Sequence, residues 1–165
     1  MTFAPRTWVV GEVVSAAIMN QEIRDQLNSI FGTWTTYTPS WTASTTNPTI
    51  GNGTITGRYL KVGRTVFCEI FIVIGSSTTL GSGTYLLTVP FPKVSSGTDA
   101  VGASRLSAGS VYLGQCVLGS NSSTMNVTFP HQSTPGIGQN WTNTTPVTLA
   151  STHVMRMSIA YEASS

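Results

Sequence analysis

The sequence predicts a mainly β protein, an antiparallel β-sandwich of jelly-roll type that carries one short amino-terminal helix. Strand-like runs of β-branched and aromatic residues recur about every 8 to 12 residues, with turn signals between them, as in sandwiches and jelly rolls. The 165-residue chain is 40% hydrophobic but only 8% charged. Its apolar residues lie at strand spacing, which excludes disorder, and no apolar run approaches the ~20 residues of a membrane-spanning helix.

A β-hairpin over residues 56–74 is the strongest structural signal. Its predicted arms are residues 56–60 and 65–74, joined by a turn at residues 61–64. The two-residue period of a strand divides the second arm into two faces. One face holds Val66, Cys68, Ile70, Ile72 and Ile74, and the other holds Thr65, Phe67, Glu69, Phe71 and Val73.

Both faces of this second arm are apolar, although an antiparallel strand at a surface is normally polar on one side. Either another layer of the same sandwich or another subunit must therefore cover the second face. A small sandwich has few ways to bury both faces of one strand, so we favour a subunit. The contact residues predicted here are Phe67, Phe71 and Val73.

The chain begins with a predicted helix over residues 16–31, with Ser15 as its N-cap and Gly32 as its stop. Spacings of 4, 4 and 3 residues form a narrow apolar stripe that consists of Met19, Ile23, Leu27 and Ile30. A helix this short is marginal in water unless the stripe has a partner. The stripe either bundles with copies from neighbouring subunits or packs on its own β domain. We divide the chain into an attachment segment, residues 1–32, and a β domain, residues 33–165.

The remaining strands are predicted from β-branched runs bounded by Gly, Pro, Ser and Asn. An edge strand at residues 35–41 precedes the hairpin, and two prolines break the segment that contains it. Further strands are expected at residues 84–89, 99–106, 110–118, 124–129, 146–150 and 153–161. The longest loop is expected at residues 130–145.

The sequence offers little for catalysis, and we expect neither enzymatic activity nor a metal or other cofactor. Outside the amino-terminal segment the acids are Glu69, Asp99 and Glu162, and none stands in a setting that suggests a paired-carboxylate cleft. His131 and His153 lack neighbours at metal-ligand spacing. Cys68 and Cys116 each lie within a strand-like run. They could form one bridge, but buried free thiols are favoured in a reducing compartment.

Charge and targeting signals restrict the partners further. A net charge of +2, with basic residues scattered along the chain, makes no nucleic-acid footprint. The amino terminus lacks the apolar core and small-residue cleavage site of a signal peptide. We therefore expect synthesis in a cytoplasm, with no membrane as a partner.

Two segments carry a resemblance to a known family. They are W-x-x-G-E-V-V-x-A-A-x-x-N-x-x-I-R-D at residues 8–25 and G-N-G-x-x-x-G-R-Y-x-x-V-G-R-T-V at residues 51–66. The chain resembles, over most of its length, the small virion proteins of tailed bacteriophages of actinobacteria, which include minor tail proteins and tail-fibre domains. The resemblance implies a virion homotrimer with an amino-terminal attachment piece, which meets other virion proteins, and a carboxy-terminal β-sandwich head.

Two functions fit that resemblance, and the sequence leaves both open. The first is a tail-tip or tail-fibre module that attaches to a host cell-wall glycan, and the second is a capsid decoration or head-fibre protein. For the first, Trp141 supplies an apolar ring for a sugar, and Asn140, Asn143 and His131 supply hydrogen-bonding groups in a loop. In the alternative, Trp141 caps the core or meets a neighbouring subunit.

Overall fold

A computed structural model describes residues 7–131, 133–134 and 136–164, apart from the side chains of Gln26 and Ser29. The first six residues of the predicted attachment segment lie outside this set. Gln132 and Pro135 of the predicted binding loop lie outside it as well.

The predicted helix is confirmed over residues 16–31, as three consecutive segments: α1 (Ala16–Met19), a π-helical turn (Asn20–Arg24) and α2 (Asp25–Phe31). We call these together the N-terminal helix. The Ile18 N–H donates to Ser15 Oγ at 3.3 Å, which satisfies one free amide of the first turn. The helix ends before Gly32, where the backbone becomes extended.

Ten strands follow the helix within the described residues, and every pairing between them is antiparallel. They are β1 (Thr35–Tyr37), β2 (Trp41–Ala43), β3 (Thr54–Val62), β4 (Thr65–Val73), β5 (Tyr85–Thr88), β6 (Ala100–Ala108), β7 (Ser110–Leu118), β8 (Thr124–Pro130), β9 (Gly138–Asn140) and β10 (Val154–Glu162). The predicted central hairpin is confirmed as β3 and β4. Its two-residue turn contains Gly63 at φ +58°, a conformation that glycine adopts without strain.

The strands form one hydrogen-bonded sheet in the order β1-β3-β4-β10-β6-β7-β8-β5-β2, with β9 also pairing with β8. The mainly β, antiparallel class is therefore confirmed. The sandwich predicted from the sequence has two sheets, whereas the chain has a single sheet that curls around its core. The halves of this curled sheet face each other as the two layers of a sandwich do.

The two edges of the sheet meet because β1 and β2 are neighbours in sequence. Only residues 38–40 separate these strands, yet β1 pairs with β3 at one edge and β2 pairs with β5 at the other. Side chains fasten the junction: the Tyr37 hydroxyl lies 3.2 Å from Cys68 Sγ and donates to Thr88 O at 3.3 Å. The Ser40 N–H also donates to Thr88 Oγ1 at 2.8 Å. Tyr37 thus joins β1 to both β4 and β5.

The core fills the inside of the curl, and β4 runs through it. Val66, Cys68, Ile70 and Ile72 are at most 2% exposed, which confirms the predicted inner face. On the outer face of β4, however, Phe67 is 43% exposed. Phe71 and Val73 on the same face are half-buried, and no second layer of strands covers them among the described residues. The expectation that both faces are covered is therefore not met within one chain, and cover by a subunit stays a prediction.

Two strand assignments and one loop assignment from the sequence are wrong in detail. The predicted edge strand at residues 35–41 is two strands on opposite edges, because the chain crosses the sheet junction between them. Residues 146–150 form no strand: the Leu149 N–H donates to Asn143 O within the preceding loop instead of to a neighbouring strand. The predicted loop at residues 130–145 contains β9, which consists of Gly-Gln-Asn and carries no strand-like side-chain pattern.

We expect the Tyr37→Phe variant to be about 1 kcal/mol less stable than the wild type, because it removes one part-buried hydrogen-bonding group from the sheet junction. For a chain of this size that corresponds to a fall in melting temperature of about 2–4 °C. Differential scanning calorimetry measures it. Tyr59→Phe is the control, since the half-buried Tyr59 hydroxyl makes no hydrogen bond to the described residues. Equal shifts in the two variants would contradict the role of the Tyr37 hydroxyl.

Candidate functional site

The structure does not bring the four predicted receptor residues together. Trp141 lies in the core and is only 1% exposed. Its ring stacks on Trp41 with centroids 5.9 Å apart and meets Tyr85 edge-on at 4.8 Å. A buried ring cannot stack on a sugar, so the prediction of Trp141 as a receptor contact is wrong. The alternative, in which Trp141 folds back onto the core, is the arrangement observed.

The other three predicted receptor residues have local structural partners. Asn140 is exposed and lies in β9, where its Oδ1 accepts from Asn126 Nδ2 at 3.2 Å. His131 Nδ1 accepts from the Thr134 N–H at 3.0 Å and so closes its own turn. Asn143 accepts through its backbone oxygen in the loop that follows Trp141. These three residues form no shared site with Trp141.

The outer face of the sheet provides a better candidate. The strand register places one residue from each of eight strands in a single row across this face, which we call the central row. Its members are Thr36, Arg58, Glu69, Ser158, Ala103, Gln115, Thr128 and Asn140. The side chains of Ser158 and Ala103 are short, so the outer face has a depression where β10 and β6 pair.

A groove follows this low part of the central row. It has a volume of about 770 Å³, and its floor includes Glu69, Ser158 and Ala103. The next row supplies one wall, where the register aligns Thr56, Phe71, Arg156, Arg105 and Leu113. A depression of about 440 Å³ shares the same floor and extends it toward Trp34 and Phe67. We call these two connected hollows the outer groove.

The outer groove has an apolar side chain at each side of its floor and two arginines in the wall formed by the next row. Leu113 is 67% exposed, and Phe67 lies on the opposite side of the floor. Arg156 and Arg105 stand directly opposite each other on neighbouring strands. The Arg156 guanidinium covers the Phe71 ring at 5.1 Å, and Arg105 Nη1 donates to Ser107 Oγ at 2.9 Å. Neither guanidinium has a carboxylate partner among the described residues.

Arg58, in contrast, is neutralised within the chain. Its Nη2 lies 2.6 Å from Glu69 Oε2, and its guanidinium lies 4.9 Å from the centroid of the Trp34 ring. The excess positive charge of the outer groove therefore comes from Arg105 and Arg156.

The second exposed apolar surface is the stripe of the N-terminal helix. Its four residues, Met19, Ile23, Leu27 and Ile30, are 43–51% exposed. The carboxy-terminal part of the helix contacts β3, so the sheet of the same chain is within reach. The four stripe residues nevertheless remain about half exposed.

Burial favours the protonated forms of the titratable groups in the core. Burial raises the pKa of the Cys68 thiol from 9.0 to about 11 and that of Cys116 to about 12. Both cysteines are free, as favoured from the sequence. Burial also raises the pKa of Tyr37, Tyr85 and Tyr161. Thiols that keep their protons at neutral pH are weak nucleophiles.

Glu162 and His153 likewise have structural partners. Glu162 pairs with Arg64 at 3.2 Å on the surface. His153 Nδ1 accepts from the Ala150 N–H at 3.1 Å and supports the turn before β10. The described part of the chain gathers no group of three or more His, Cys, Asp or Glu residues that could hold a metal ion.

Sequence reasoning identified the helix stripe and the outward side chains of β4 but missed Arg105, Arg156 and Leu113. Alternation along β6, β7 and β10 indicated that these residues point outward. Their shared wall depends on β10 inserting between β4 and β6, a long-range pairing that no local pattern reveals.

The comparisons with known proteins add no relative. No protein-family model, curated protein or solved structure matches this chain. Within the described residues, no helix has the length and apolar character needed to cross a membrane.

We expect neither cysteine to react with Ellman's reagent in the native protein at pH 8, because burial raises both pKa values to about 11 and 12. In guanidinium chloride both thiols should react. The native state holds these protons more tightly than the unfolded state, so the free energy of unfolding should decrease as the pH rises above about 9. Rapid native labelling at pH 8, or a stability that stays constant up to pH 11, would show that the thiols are accessible.

We expect Trp141→Ala to destabilise the protein by about 3–5 kcal/mol, because the substitution leaves a large cavity beside Trp41 and Tyr85. The melting temperature should fall on the order of 10 °C. Its neighbour Asn140→Ala is the matched control and should change the melting temperature by no more than about 2 °C, as exposed positions usually do. Thermal melts followed by circular dichroism test both. An unchanged melting temperature for Trp141→Ala would contradict the core role.

Proposed function

We propose that the protein is a homotrimeric structural protein of a bacteriophage virion, anchored by its N-terminal segment and displaying the curled β domain as a sandwich-like head. The observation that carries this proposal is a pair of partly exposed apolar surfaces: the stripe of the N-terminal helix, and the outer face of β4, where Phe67 is exposed and Phe71 and Val73 are half-buried. Contiguous exposed apolar surface commonly marks a protein interface. The virion assignment rests on the resemblance of residues 8–25 and 51–66 to small virion proteins.

Within a virion, we place the protein at the tail tip or in a tail fibre, where it attaches to a host-surface glycan. Thr128 on β8 and Asn140 on β9 present hydrogen-bonding groups on the outer face that a sugar could contact. Because Trp141 is buried, we assign the glycan contact to exposed groups such as Asn140. The second candidate is a capsid decoration or head-fibre protein on the shell.

The chemistry of the chain supports a binding or structural role over an enzymatic one. Among the described carboxylates, Glu69 and Glu162 each form an ion pair with an arginine on a neighbouring strand or turn. A hydrolase of the glycosidase type needs two carboxylates that flank one bond. Each of these two carboxylates has an arginine as its partner and not a second carboxylate.

The location on the virion is tested by electron microscopy of intact particles that carry the protein with a gold-labelled tag. Label at the tail tip supports the attachment module, and label on the shell supports capsid decoration. An absence of label from purified particles, with the protein present in the lysate, would overturn the virion assignment.

The oligomer is tested with the full chain by light scattering. We expect the wild type to have the mass of three chains and Leu27→Glu to dissociate toward monomers, because a buried carboxylate without a partner is strongly unfavourable. Asn28→Glu is the control, since Asn28 is exposed and lies away from the stripe. Both variants should keep the wild-type melting behaviour of the head. A monomeric wild type at micromolar concentration would contradict the proposal.

A further inference from the structure

The proposed trimer leaves open which surfaces meet. From the outer groove and the helix stripe we infer that the N-terminal helix of each copy lies in the outer groove of the next copy. The inference rests on the proposed function, because it needs an assembly of identical chains. It assigns the occupant of the groove: residues 16–31 of a second copy.

The dimensions of the two surfaces agree. A helix of 16 residues is about 24 Å long at 1.5 Å per residue. The groove wall crosses five strands, from Thr56 on β3 to Leu113 on β7, which corresponds to about 19 Å at 4.8 Å per strand. The helix therefore spans the groove from end to end. Its stripe has the width of a single seam, which suits a groove bounded by one row of side chains on each side.

The apolar groups also match. The stripe presents Met19, Ile23, Leu27 and Ile30, which are about half exposed in the single chain. The groove presents Phe67 on one side and Leu113 on the other, both exposed. Each surface has apolar area in contact with water that the described part of its own chain does not bury. Seating one on the other removes both sets from water.

Charge complementarity favours a second copy of the chain as the molecule that occupies the outer groove. Arg105 and Arg156 stand opposite each other, and like charges in that position destabilise a sheet. Glu22 lies at the border of the helix stripe and forms no ion pair with the described residues. Asp25 next to it is already paired with Arg24 at 2.8 Å. The Glu22 carboxylate is thus the group on the helix that is available to the two guanidiniums.

The geometry also favours a neighbouring chain over the same chain. The helix contacts β3 of its own sheet, and β3 forms one end of the groove. The stripe residues are still about half exposed although the helix already contacts β3. A head-to-tail arrangement in which each copy gives a helix and receives one can close into a ring, and a ring of three copies is the proposed trimer.

Cross-linking tests the contact directly in the full chain. A variant with both Leu27→Cys and Leu113→Cys is treated with a flexible bis-maleimide at pH 7, where the buried native thiols stay protonated. We expect covalent dimers and trimers on denaturing gels from the double variant, and monomers alone from each single variant. Wild-type protein is the control for the native cysteines.

The outcomes separate this inference from the proposed function. Covalent dimers from Leu27→Cys alone would show that the helices bundle with one another, which overturns the inference and leaves the trimer intact. An internal cross-link that leaves the double variant at monomer size would place the helix on its own sheet and overturn it as well. A wild-type chain that is monomeric by light scattering would overturn both.

A charge exchange provides a second, independent measurement. We expect Glu22→Arg and Arg156→Glu each to weaken assembly roughly tenfold, as charge reversals across an interface do, and the two together to restore most of it. Asp99→Arg is the control, because it makes the same change in net charge as Glu22→Arg at an exposed position outside both surfaces. Sedimentation equilibrium gives the association constants. A double variant as weak as the sum of the singles would contradict the Glu22–Arg156 contact.

Discussion

The structure depends on the short connection between β1 and β2. These strands close opposite edges of one sheet although only residues 38–40 separate them, so the sheet must curl until its edges are a few residues apart. Tyr37 fixes that distance by reaching Cys68 on β4 and the Thr88 carbonyl on β5. Once the edges meet, the inward side chains of the strands share one enclosed interior, and the outward side chains are left to solvent or to partners.

Closure of the sheet also explains how a chain with few charged residues protects its sheet edges. An open sheet has two free edges, and free edges invite pairing with other chains. Here β1 and β2 are short, and the crossing between them brings the edges together. The loops that flank the sheet are tied by hydroxyl and amide groups, as in the Thr49–Thr79 and Asn52–Ser77 contacts. Hydrogen bonds of this kind are each modest in net free energy, but they satisfy backbone groups that would otherwise be unpaired.

The outer face follows from the same arrangement. Because β10 enters between β4 and β6, the aromatic side chains of β4 come to lie beside two arginines and a floor of short side chains. The resulting groove is a property of the assembled sheet and of no single strand. It combines apolar sides with two arginines that have no carboxylate partner among the described residues. That contrast connects the structure to the proposed trimer and to the seating of the helix from a neighbouring copy.

The sequence alone determined the local structure. Ser15, the 4-4-3 stripe and Gly32 placed the helix, because capping and amphipathic spacing act within a few residues of chain. Alternation in β4 separated the buried isoleucines from the outward phenylalanines, because a strand repeats every two residues. Only the tertiary structure decided what those outward residues face. Trp141 shows the limit: polar neighbours in sequence predicted exposure, whereas its ring is enclosed by Trp41 and Tyr85 from distant strands. Sheet order and register are set by long-range pairing, and that pairing decides which rows of side chains become core and which become surface.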